Sequence, residues 1–301
     1  MAGAASNRMI HAPRMSVVVA SHNARVSIRE CLSVLVGQRN HDDVEILVVD
    51  NSHDGSAEIV KDAFPDVRVI MAPPSALIPE LWGLGMGKSR GSIIAITTAH
   101  FVPAPDWVGA MLEAHAGAAA AVGGAIESAE PASAVDWAVY FCRYSQYMLP
   151  FERGPVREIA GDNASYKRTH IERYRHVWRN GFWELAIHAE LRKAGLQLLL
   201  VPSVVVFHHR SFGLRSFVTQ RFWHGMQFGR HRAFRVRRPQ RALYIALSPA
   251  IPLVFLVRIG RQVFGKRRNR TKFVVSLPAL VLFLLAWSCG ELLGYLRGPE
   301  A

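Results

Sequence analysis

The segment GSIIAITTAHFVPAPDW, residues 91–107, decides the fold that we predict for this chain. Residues 92–96 form a short apolar run typical of a buried strand, and Pro103 and Pro105 exclude a helix directly after it. Residues 97–100 are therefore expected at the carboxyl end of a central strand, where open α/β sheets bind their ligands. A capped strand end with a hydrogen-bonded histidine is the alternative, and the segment alone does not separate the two.

Apolar runs that precede this segment predict further strands of the same sheet. They lie at residues 15–20, 44–49 and 68–71. Helical periodicity follows each strand in turn, at residues 26–36, 57–64 and 81–89. Strands that alternate with helices and end in polar residues indicate a Rossmann-like α/β fold, with a mostly parallel central sheet and flanking helices.

The charge of the chain is concentrated towards its C-terminus. The net charge is +13, and residues 191–290 contain no Asp or Glu but 18 of the 36 Lys and Arg. Such a segment faces a polyanion, either a nucleic acid or an anionic membrane surface. Three cysteines without metal-type spacing argue against a disulfide framework, and the N-terminus lacks the apolar core of a signal peptide. We therefore expect the main body to stay in the cytoplasm.

The C-terminal third has the pattern of a membrane-attached region. Residues 215–241 interleave arginines with bulky aromatic side chains, which suits the lipid headgroup layer. Residues 273–290 carry no charge over 18 positions, enough for most of a ~30 Å hydrocarbon layer. Residues 242–257 are apolar but contain two prolines, so we expect this segment to be re-entrant or in plane and the second to span or dip deeply. The alternative is a buried hairpin, and the apolar segments argue against nucleic acid as the partner.

These patterns divide the chain into four parts. We expect a flexible tail over residues 1–14 and an α/β domain over residues 15–214. A basic amphipathic juxtamembrane segment then covers residues 215–241, and membrane-embedded helices cover residues 242–301.

Five motifs in order resemble glycosyltransferase family 2, whose members are inverting enzymes with the GT-A nucleotide-sugar-binding fold. The motifs are SVVVASHN, EILVVDNSHDGS, AITTAHFVPAPDW, GDNASYKR and FWELAIHAELRKAGLQLLLVPSVVVFHH. The last of these resembles the catalytic-base helix of the family followed by its last core strand. Each motif is weak alone, but their order and spacing are specific. The resemblance implies transfer of a sugar from a nucleotide sugar to a lipid or lipid-linked glycan at the cytoplasmic face of the cell membrane. A GT-A-like membrane scaffold that has lost its catalytic activity is the alternative.

The first two motifs imply the nucleotide site. By the resemblance, Asp50 contacts the base or ribose through a directional, charge-assisted hydrogen bond. His22 replaces the usual aromatic residue and is expected to stack on the base, with Ala20 and Asn23 supplying backbone around it. The structural alternative for Asp50 is an Asx-type turn between strand and helix, the role that we assign to Asp54.

The central motif departs from the pattern of the family. Thr98, Ala99 and His100 stand where the family usually carries Asp-X-Asp, so both carboxylates are missing. By comparison with related transferases, His100 and His208 would each give an imidazole nitrogen to a divalent cation. A site poor in carboxylates favours Mn over Mg. The alternative is that Thr98 and His100 bind the diphosphate without a metal.

The last two motifs imply the catalytic and acceptor residues. Glu184 aligns with the general base of the family and opens an amphipathic helix, where an acid is also favourable for the helix dipole alone. Asp162 and Asn163 are expected to end a strand and bind sugar hydroxyls or the acceptor. Their alternative role is to cap a helix that starts near Tyr166.

Overall fold

The computed structural model describes residues 12–38, 43–129, 132–209 and 211–298. The strands are β1 (Met15–Ser21), β2 (Val44–Asp50), β3 (Arg68–Met71), β4 (Ile93–Thr98), β5 (Phe101–Pro103), β6 (Ala121–Ser128), β7 (Gly154–Val156), β8 (Ala164–Lys167) and β9 (Leu198–His208). The helices are α1 (Ile28–Gly37), α2 (Ser56–Ala63), α3 (Ile78–Lys88), α4 (Trp107–Ala114), α5 (Ala134–Tyr144), α6 (Arg168–Ile171), α7 (Arg175–Trp178), α8 (Glu184–Lys193), α9 (Leu214–Arg235), α10 (Arg238–Leu247), α11 (Ile251–Lys266) and α12 (Arg270–Arg297).

The described strands form one mixed sheet in the order β3-β2-β1-β4-β8-β6-β9-β5, and β7 also pairs with β9. The pairs β1–β2, β1–β4 and β2–β3 are parallel. In contrast, β8 is antiparallel to β4 and β6, and both β5 and β7 are antiparallel to β9. The predicted α/β fold with flanking helices is confirmed, and the first four strands follow the expected parallel pairing, whereas β8 runs antiparallel between β4 and β6.

The parallel half of the sheet is the centre of the core. All seven residues of β1 are buried, and β2 and β4 are almost as fully covered. Strands that helices cover on both faces need apolar side chains on both faces, which explains the unbroken apolar runs in the sequence. The residues just before β1 are also held by the sheet, because the carbonyls of Pro13 and Arg14 accept hydrogen bonds from Ser92 and Ile93. The rest of the predicted tail, residues 1–11, lies outside the described residues.

The segment around Gly161 differs from the prediction. Gly161–Asn163 form a 3-10 turn, β8 follows this turn instead of preceding it, and the helix begins only at Arg168. The small residues Ala164 and Ser165 allow β8 to insert between β4 and β6. Asp162 and Asn163 therefore lead into a strand, and neither caps a helix near Tyr166.

The chain divides into two compact units, and the division differs from the predicted boundaries. Unit 1 comprises residues 1–127 and 152–209, and unit 2 comprises residues 128–151 and 210–301. No local pattern indicated that residues 128–151 would join the C-terminal helices. Within unit 2, the ring of Phe141 on α5 packs 5.3 Å from that of Phe273 on α12, and the carboxylate of Asp136 accepts hydrogen bonds from Ser211 and Phe212. Apolar and polar contacts thus hold α5 within this unit.

Unit 2 contains two helical stretches that are long and apolar enough to cross a membrane. They are Arg238–Lys266, which includes α10 and α11, and Arg270–Arg297, which is α12. The first is interrupted by a 3-10 turn at Ser248–Ala250 and is mostly exposed, whereas α12 is partly covered by protein. Length and composition alone do not distinguish membrane helices from core helices.

Candidate functional site

The candidate site lies at the carboxyl edge of the parallel strands in unit 1. Ala20 on β1 is opposite Thr98 on β4, and Ser21 is opposite Asp50 on β2. The amide of Ala99 also donates to the carbonyl oxygen of Ala20 at 2.9 Å. The register of the sheet therefore brings Ala20, Asp50 and Thr98 to one edge, as expected for a ligand site of an α/β sheet.

The loop after β1 is fixed against the loop after β2. His22 Nδ1 lies 2.9 Å from Asn51 Oδ1, and Asn51 Nδ2 donates to the carbonyl oxygen of Ala76 at 2.8 Å. Because that Asn51 oxygen accepts, His22 carries its proton on Nδ1. Asn23 accepts from the amide of His53 and has a φ of +49°, which asparagine tolerates better than most residues. The half-buried His22 ring is thus oriented by its neighbours, which suits a stacking role.

Asp50 is engaged by its own turn. One carboxylate oxygen accepts from the Ser52 amide at 2.9 Å, and the other accepts from the Ser52 hydroxyl at 2.8 Å. The residue is fully buried. The Asx-type turn that was the structural alternative is therefore present at Asp50. Asp54 makes the same turn with Ser56, in agreement with the structural role that we assigned to it.

His100 is also hydrogen-bonded within the protein. Its Nε2 lies 3.3 Å from the carbonyl oxygen of His22, and its Nδ1 lies 3.3 Å from the Ser27 hydroxyl. A carbonyl only accepts, so the proton of the neutral ring is on Nε2 and Nδ1 faces the hydroxyl. Either nitrogen would have to leave its neighbour before it could bind a metal ion.

The second predicted metal ligand lies on the neighbouring β5–β9 pair. His208 is buried and opposite Phe101, with their ring centroids 5.0 Å apart. Among the described residues, no three His, Cys, Asp or Glu side chains are grouped in a way that would hold a metal ion. His100 and His208 thus do not form a metal centre from protein ligands alone.

Glu184 lies beside the turn that follows β7. A Cβ added to Gly161 would be 3.3 Å from Glu184 Oε1 and 2.8 Å from two ring carbons of Trp82. The indole N–H of Trp82 donates to the carbonyl oxygen of Thr97 at 2.7 Å, and the Thr97 hydroxyl donates to that of Asp162 at 2.8 Å. Trp82, Thr97 and the turn thus connect the Glu184 carboxylate to the end of β4.

A buried polar network fixes the helix that carries Glu184. His188, one turn further along α8, lies 2.9 Å from the Tyr166 hydroxyl and 2.6 Å from a carboxylate oxygen of Glu158. Arg192 donates to the other oxygen of Glu158 at 2.7 Å. Burial lowers the pKa of His188, although Glu158 opposes this shift. The network ties α8 to β8 and to the segment before the Gly161 turn, and so limits the movement of Glu184.

The two residues of the GDN motif have different environments. Asn163 is fully buried, and its side chain accepts from Trp107 Nε1 at 2.8 Å and donates to the carbonyl oxygens of Ala125 and Val204. These contacts favour a structural role for Asn163 and not the predicted contact with a sugar. Asp162 is only partly buried, and its carbonyl is fixed by Thr97 at the strand end.

Sequence reasoning missed Trp82, Gly161, Tyr166 and His188 as parts of the site. The one signal present was that His188 follows Glu184 by four residues, which places both on the same side of a helix. The partners of Trp82 and Tyr166 lie on other elements, so no local pattern could reveal them.

Comparisons with known proteins agree with this fold. The family model described as glycosyl transferase family 2 matches residues 16–175. Among solved structures, the mannosyltransferase PcManGT from Pyrobaculum calidifontis, in complex with GDP-Man and Mn2+, is similar with a TM-score of 0.57 and 18% sequence identity. The match covers 94% of this chain and 88% of that chain, and at this identity it shows the fold. A comparison with curated proteins gives no match.

The family model spans more than half of the chain, including β1, β2, β4 and the Gly161 turn. The first three motifs that resembled the family in the sequence meet at the carboxyl edge of β1, β2 and β4. This chain therefore belongs to glycosyl transferase family 2.

Proposed function

We propose that this protein transfers a sugar from a nucleotide-sugar donor, with inversion, to a lipid or lipid-linked glycan. Family membership and the GT-A-like fold support glycosyl transfer from a nucleotide sugar. The acceptor, the inversion and the location at the cytoplasmic face of the cell membrane are our proposals. In this scheme the nucleotide contacts the edge formed by Ala20, His22, Asn23 and Asp50.

One observation supports this proposal most directly, which is the position of the Glu184 carboxylate. It lies beside Gly161, and the adjoining turn is hydrogen-bonded to Thr97 at the end of β4. A donor diphosphate at Thr98 and His100 would then have its sugar near a carboxylate from a different element. A transferase needs this combination of an anion-binding strand end and a nearby base.

In the proposed mechanism, Glu184 acts as the general base. Its carboxylate removes the proton of an acceptor hydroxyl as that oxygen attacks the anomeric carbon of the donor sugar. The bond between the anomeric carbon and the diphosphate oxygen breaks on the opposite face, and a nucleoside diphosphate leaves. Attack opposite to the leaving group inverts the anomeric configuration, as in inverting glycosidases. Asp162 is our candidate for a contact with the sugar or acceptor, because the Thr97 hydroxyl fixes its backbone carbonyl.

The test is turnover by the Glu184→Gln variant of the full chain, purified in detergent and offered a panel of nucleotide sugars. We expect kcat to fall by a factor of about 10² to 10⁴, the usual contribution of a general base, with binding of the nucleoside diphosphate unchanged. Glu190→Gln is the matched control, because Glu190 lies on the same helix in an ion pair with Lys193. Normal turnover by Glu184→Gln would remove this residue from the mechanism.

The metal requirement is tested separately. A divalent cation would be held by His100 and His208 together with donor oxygens, because the two histidines alone are too few ligands. We expect turnover with Mn to exceed turnover with Mg if imidazole ligands are used. If EDTA leaves turnover unchanged in both wild type and His208→Ala, the result would favour direct binding of the diphosphate by Thr98 and His100.

A second candidate function is a membrane scaffold without catalytic activity. The burial of Asp50 in its own turn and the missing Asp-X-Asp carboxylates favour this alternative. Calorimetry with nucleoside diphosphates, with and without Mn, separates the two functions. The transferase must bind at least one of these nucleotides, whereas the scaffold need bind none.

A further inference from the structure

The two apolar helical stretches of unit 2 pose the question of whether the chain crosses a membrane. The tip between α11 and α12 is hydrogen-bonded to the segment that precedes β7. Lys266 Nζ donates to the carbonyl oxygen of Gln146 at 3.0 Å and also to that of Met148. Arg268 donates to the carbonyl oxygen of Leu149 at 3.4 Å. The tip therefore lies beside residues 146–149.

The chain leaves this segment directly for the catalytic sheet. Only four residues, 150–153, separate Leu149 from Gly154, the first residue of β7. An extended chain of that length reaches at most about 18 Å, whereas the hydrocarbon layer is about 30 Å thick. If α11 and α12 crossed a bilayer as a hairpin, the tip and Leu149 would lie on the far side, and four residues could not return the chain to the sheet.

The packing of α12 against α9 also argues against a hairpin that crosses the bilayer. A Cβ added to Gly225 on α9 would be only 2.2 Å from the carbonyl oxygen of Trp287. A Cβ added to Gly290 on α12 would be only 2.0 Å from the carbonyl oxygen of Phe222. The backbones of α9 and α12 are thus in direct contact at these glycines. The ring of Phe217 also packs 4.6 Å from that of Phe283, so the pairing covers α12 from about residue 283 onward.

Because α9 is rich in arginine, insertion of α9 into the hydrocarbon layer together with α12 would cost considerable free energy. The Arg221 guanidinium stacks 4.2 Å over the Trp287 ring, and its buried Nε has no hydrogen-bond partner among the described residues. Each Arg at the bilayer centre costs about 3 kcal/mol on insertion scales. The uncharged part of α12 before Phe283 covers residues 273–282, about 15 Å of helix and half of the layer.

The outer face of α11 has the composition of a lipid contact. A groove of about 540 Å³ is lined by Leu253, Val254, Val257, Arg258, Arg261 and Gln262. The three aliphatic side chains are 43–65% exposed. An apolar floor with two guanidinium groups matches an acyl chain and its anionic headgroup phosphate, and residues 191–290 contain no acidic residue that could neutralise the arginines.

We propose that unit 2 is a monotopic anchor that enters one leaflet of an anionic phospholipid bilayer and does not cross it. The exposed face of α10 and α11 lies among the acyl chains, with Arg258 and Arg261 at the headgroup phosphates. The tip between α11 and α12 stays on the side of the catalytic sheet. This inference does not depend on glycosyl transfer, because it concerns attachment alone.

The experiment is cysteine labelling of the full chain in sealed, inverted membrane vesicles with an impermeant maleimide. Arg268→Cys reports the tip, and Lys61→Cys on the exposed surface of α2 reports the catalytic unit, both in a background with Cys142 and Cys289 changed to Ser. We expect both cysteines to react with the maleimide from the same face of the membrane. Neither cysteine should need the vesicles to be opened before it is labelled. Labelling of the two positions from opposite faces would overturn the proposal.

Binding to lipid vesicles gives a second readout that needs no cysteine. We expect purified protein to float with phosphatidylglycerol-containing vesicles, and Arg258→Gln with Arg261→Gln to weaken this binding about 30-fold at low salt, from about 1 kcal/mol per arginine. Lys61→Gln is the matched control and should bind as wild type does. Equal binding of the double variant and the control, or equal binding to neutral vesicles, would refute α11 as the anionic lipid contact.

Discussion

Replacing Gly161 by alanine tests the geometry around Glu184 with a single methyl group. In the Gly161→Ala variant, the new Cβ would meet two ring carbons of Trp82 at 2.8 Å and Glu184 Oε1 at 3.3 Å. An ordinary contact is 3.4 Å or more, so the overlap with the indole is about 0.6 Å. Trp82 is held by its hydrogen bond to Thr97 and is buried, so the turn must move instead.

Two effects of different size follow from this overlap. Inserting a methyl group into a well-packed core costs about 1 to 3 kcal/mol. For a unit of this size, we expect the Tm to fall by about 3 to 10 °C. A displacement of up to 1 Å between the base and the reacting atoms costs about 10²-fold in rate. The loss of kcat should therefore exceed what the loss of stability explains.

The assay compares kcat, donor KM and Tm of Gly161→Ala with those of Gly109→Ala. Gly109 is in α4, and a Cβ added there would have no atom within 4 Å outside its own helix backbone and chain neighbours. This control should therefore be neutral or more stable by up to about 1 kcal/mol. We expect the donor KM of Gly161→Ala to change little, because the nucleotide site is on other loops. A Gly161→Ala protein with wild-type Tm and kcat would show that Glu184 and Trp82 do not pack on this turn.

Two further predictions concern the sheet. Burial, together with the positive charge of Lys167, lowers the pKa of His115 from 6.5 to about 4. Below pH 6.5, His115 in the unfolded chain therefore binds a proton that the folded protein does not bind until the pH approaches 4. The contribution of His115 to stability is therefore complete above pH 6.5 and falls by about 3 kcal/mol as the pH is lowered to 4. In chemical denaturation, the free energy of unfolding of His115→Gln should decrease by about 3 kcal/mol less than that of wild type between pH 6.5 and pH 4. An equal decrease in the two proteins would contradict the assignment. Asn163→Ala removes the hydrogen-bond partner of the Trp107 indole N–H and of two carbonyl oxygens in the core. We expect the free energy of unfolding, measured with urea, to fall by about 3 to 5 kcal/mol. A loss below about 1 kcal/mol would refute the structural role of Asn163.

The sequence predicted the first half of the sheet well because its signals are local. Strands buried on both faces require continuous apolar runs, and β1, β2 and β4 are such runs. Helices between them need about ten residues of 3.6-residue periodicity, which are also visible in the chain. The start of α8 at Glu184 was predicted for the same reason, because the helix opens with an acid and ends in basic residues. The role of Glu184 as a base comes from the family resemblance and stays a prediction.

The strand β8, in the second half of the sheet, was not predictable in this way. The strand β8 has only four residues, Ala164–Lys167, and inserts antiparallel between β4 and β6, which come from distant parts of the chain. A short strand with small residues has no periodicity of its own, so its neighbours decide its place. For the same reason, Asn163 resembled a ligand residue in the sequence but is buried under Trp107 in the structure.

By itself, the sequence determined that this is an α/β protein of glycosyl transferase family 2 with a basic, apolar C-terminal region. Composition and periodicity suffice for the α/β fold and the C-terminal region, whereas the family came from the resemblance of ordered motifs. Each of these signals depends on residues close together in the chain. Only the tertiary structure decided that Glu184 lies beside Gly161, that Asp50 is covered by its own turn, and that α5 belongs with α12. These facts depend on contacts between residues far apart in sequence, and only the packing of the folded chain determines which of those contacts form.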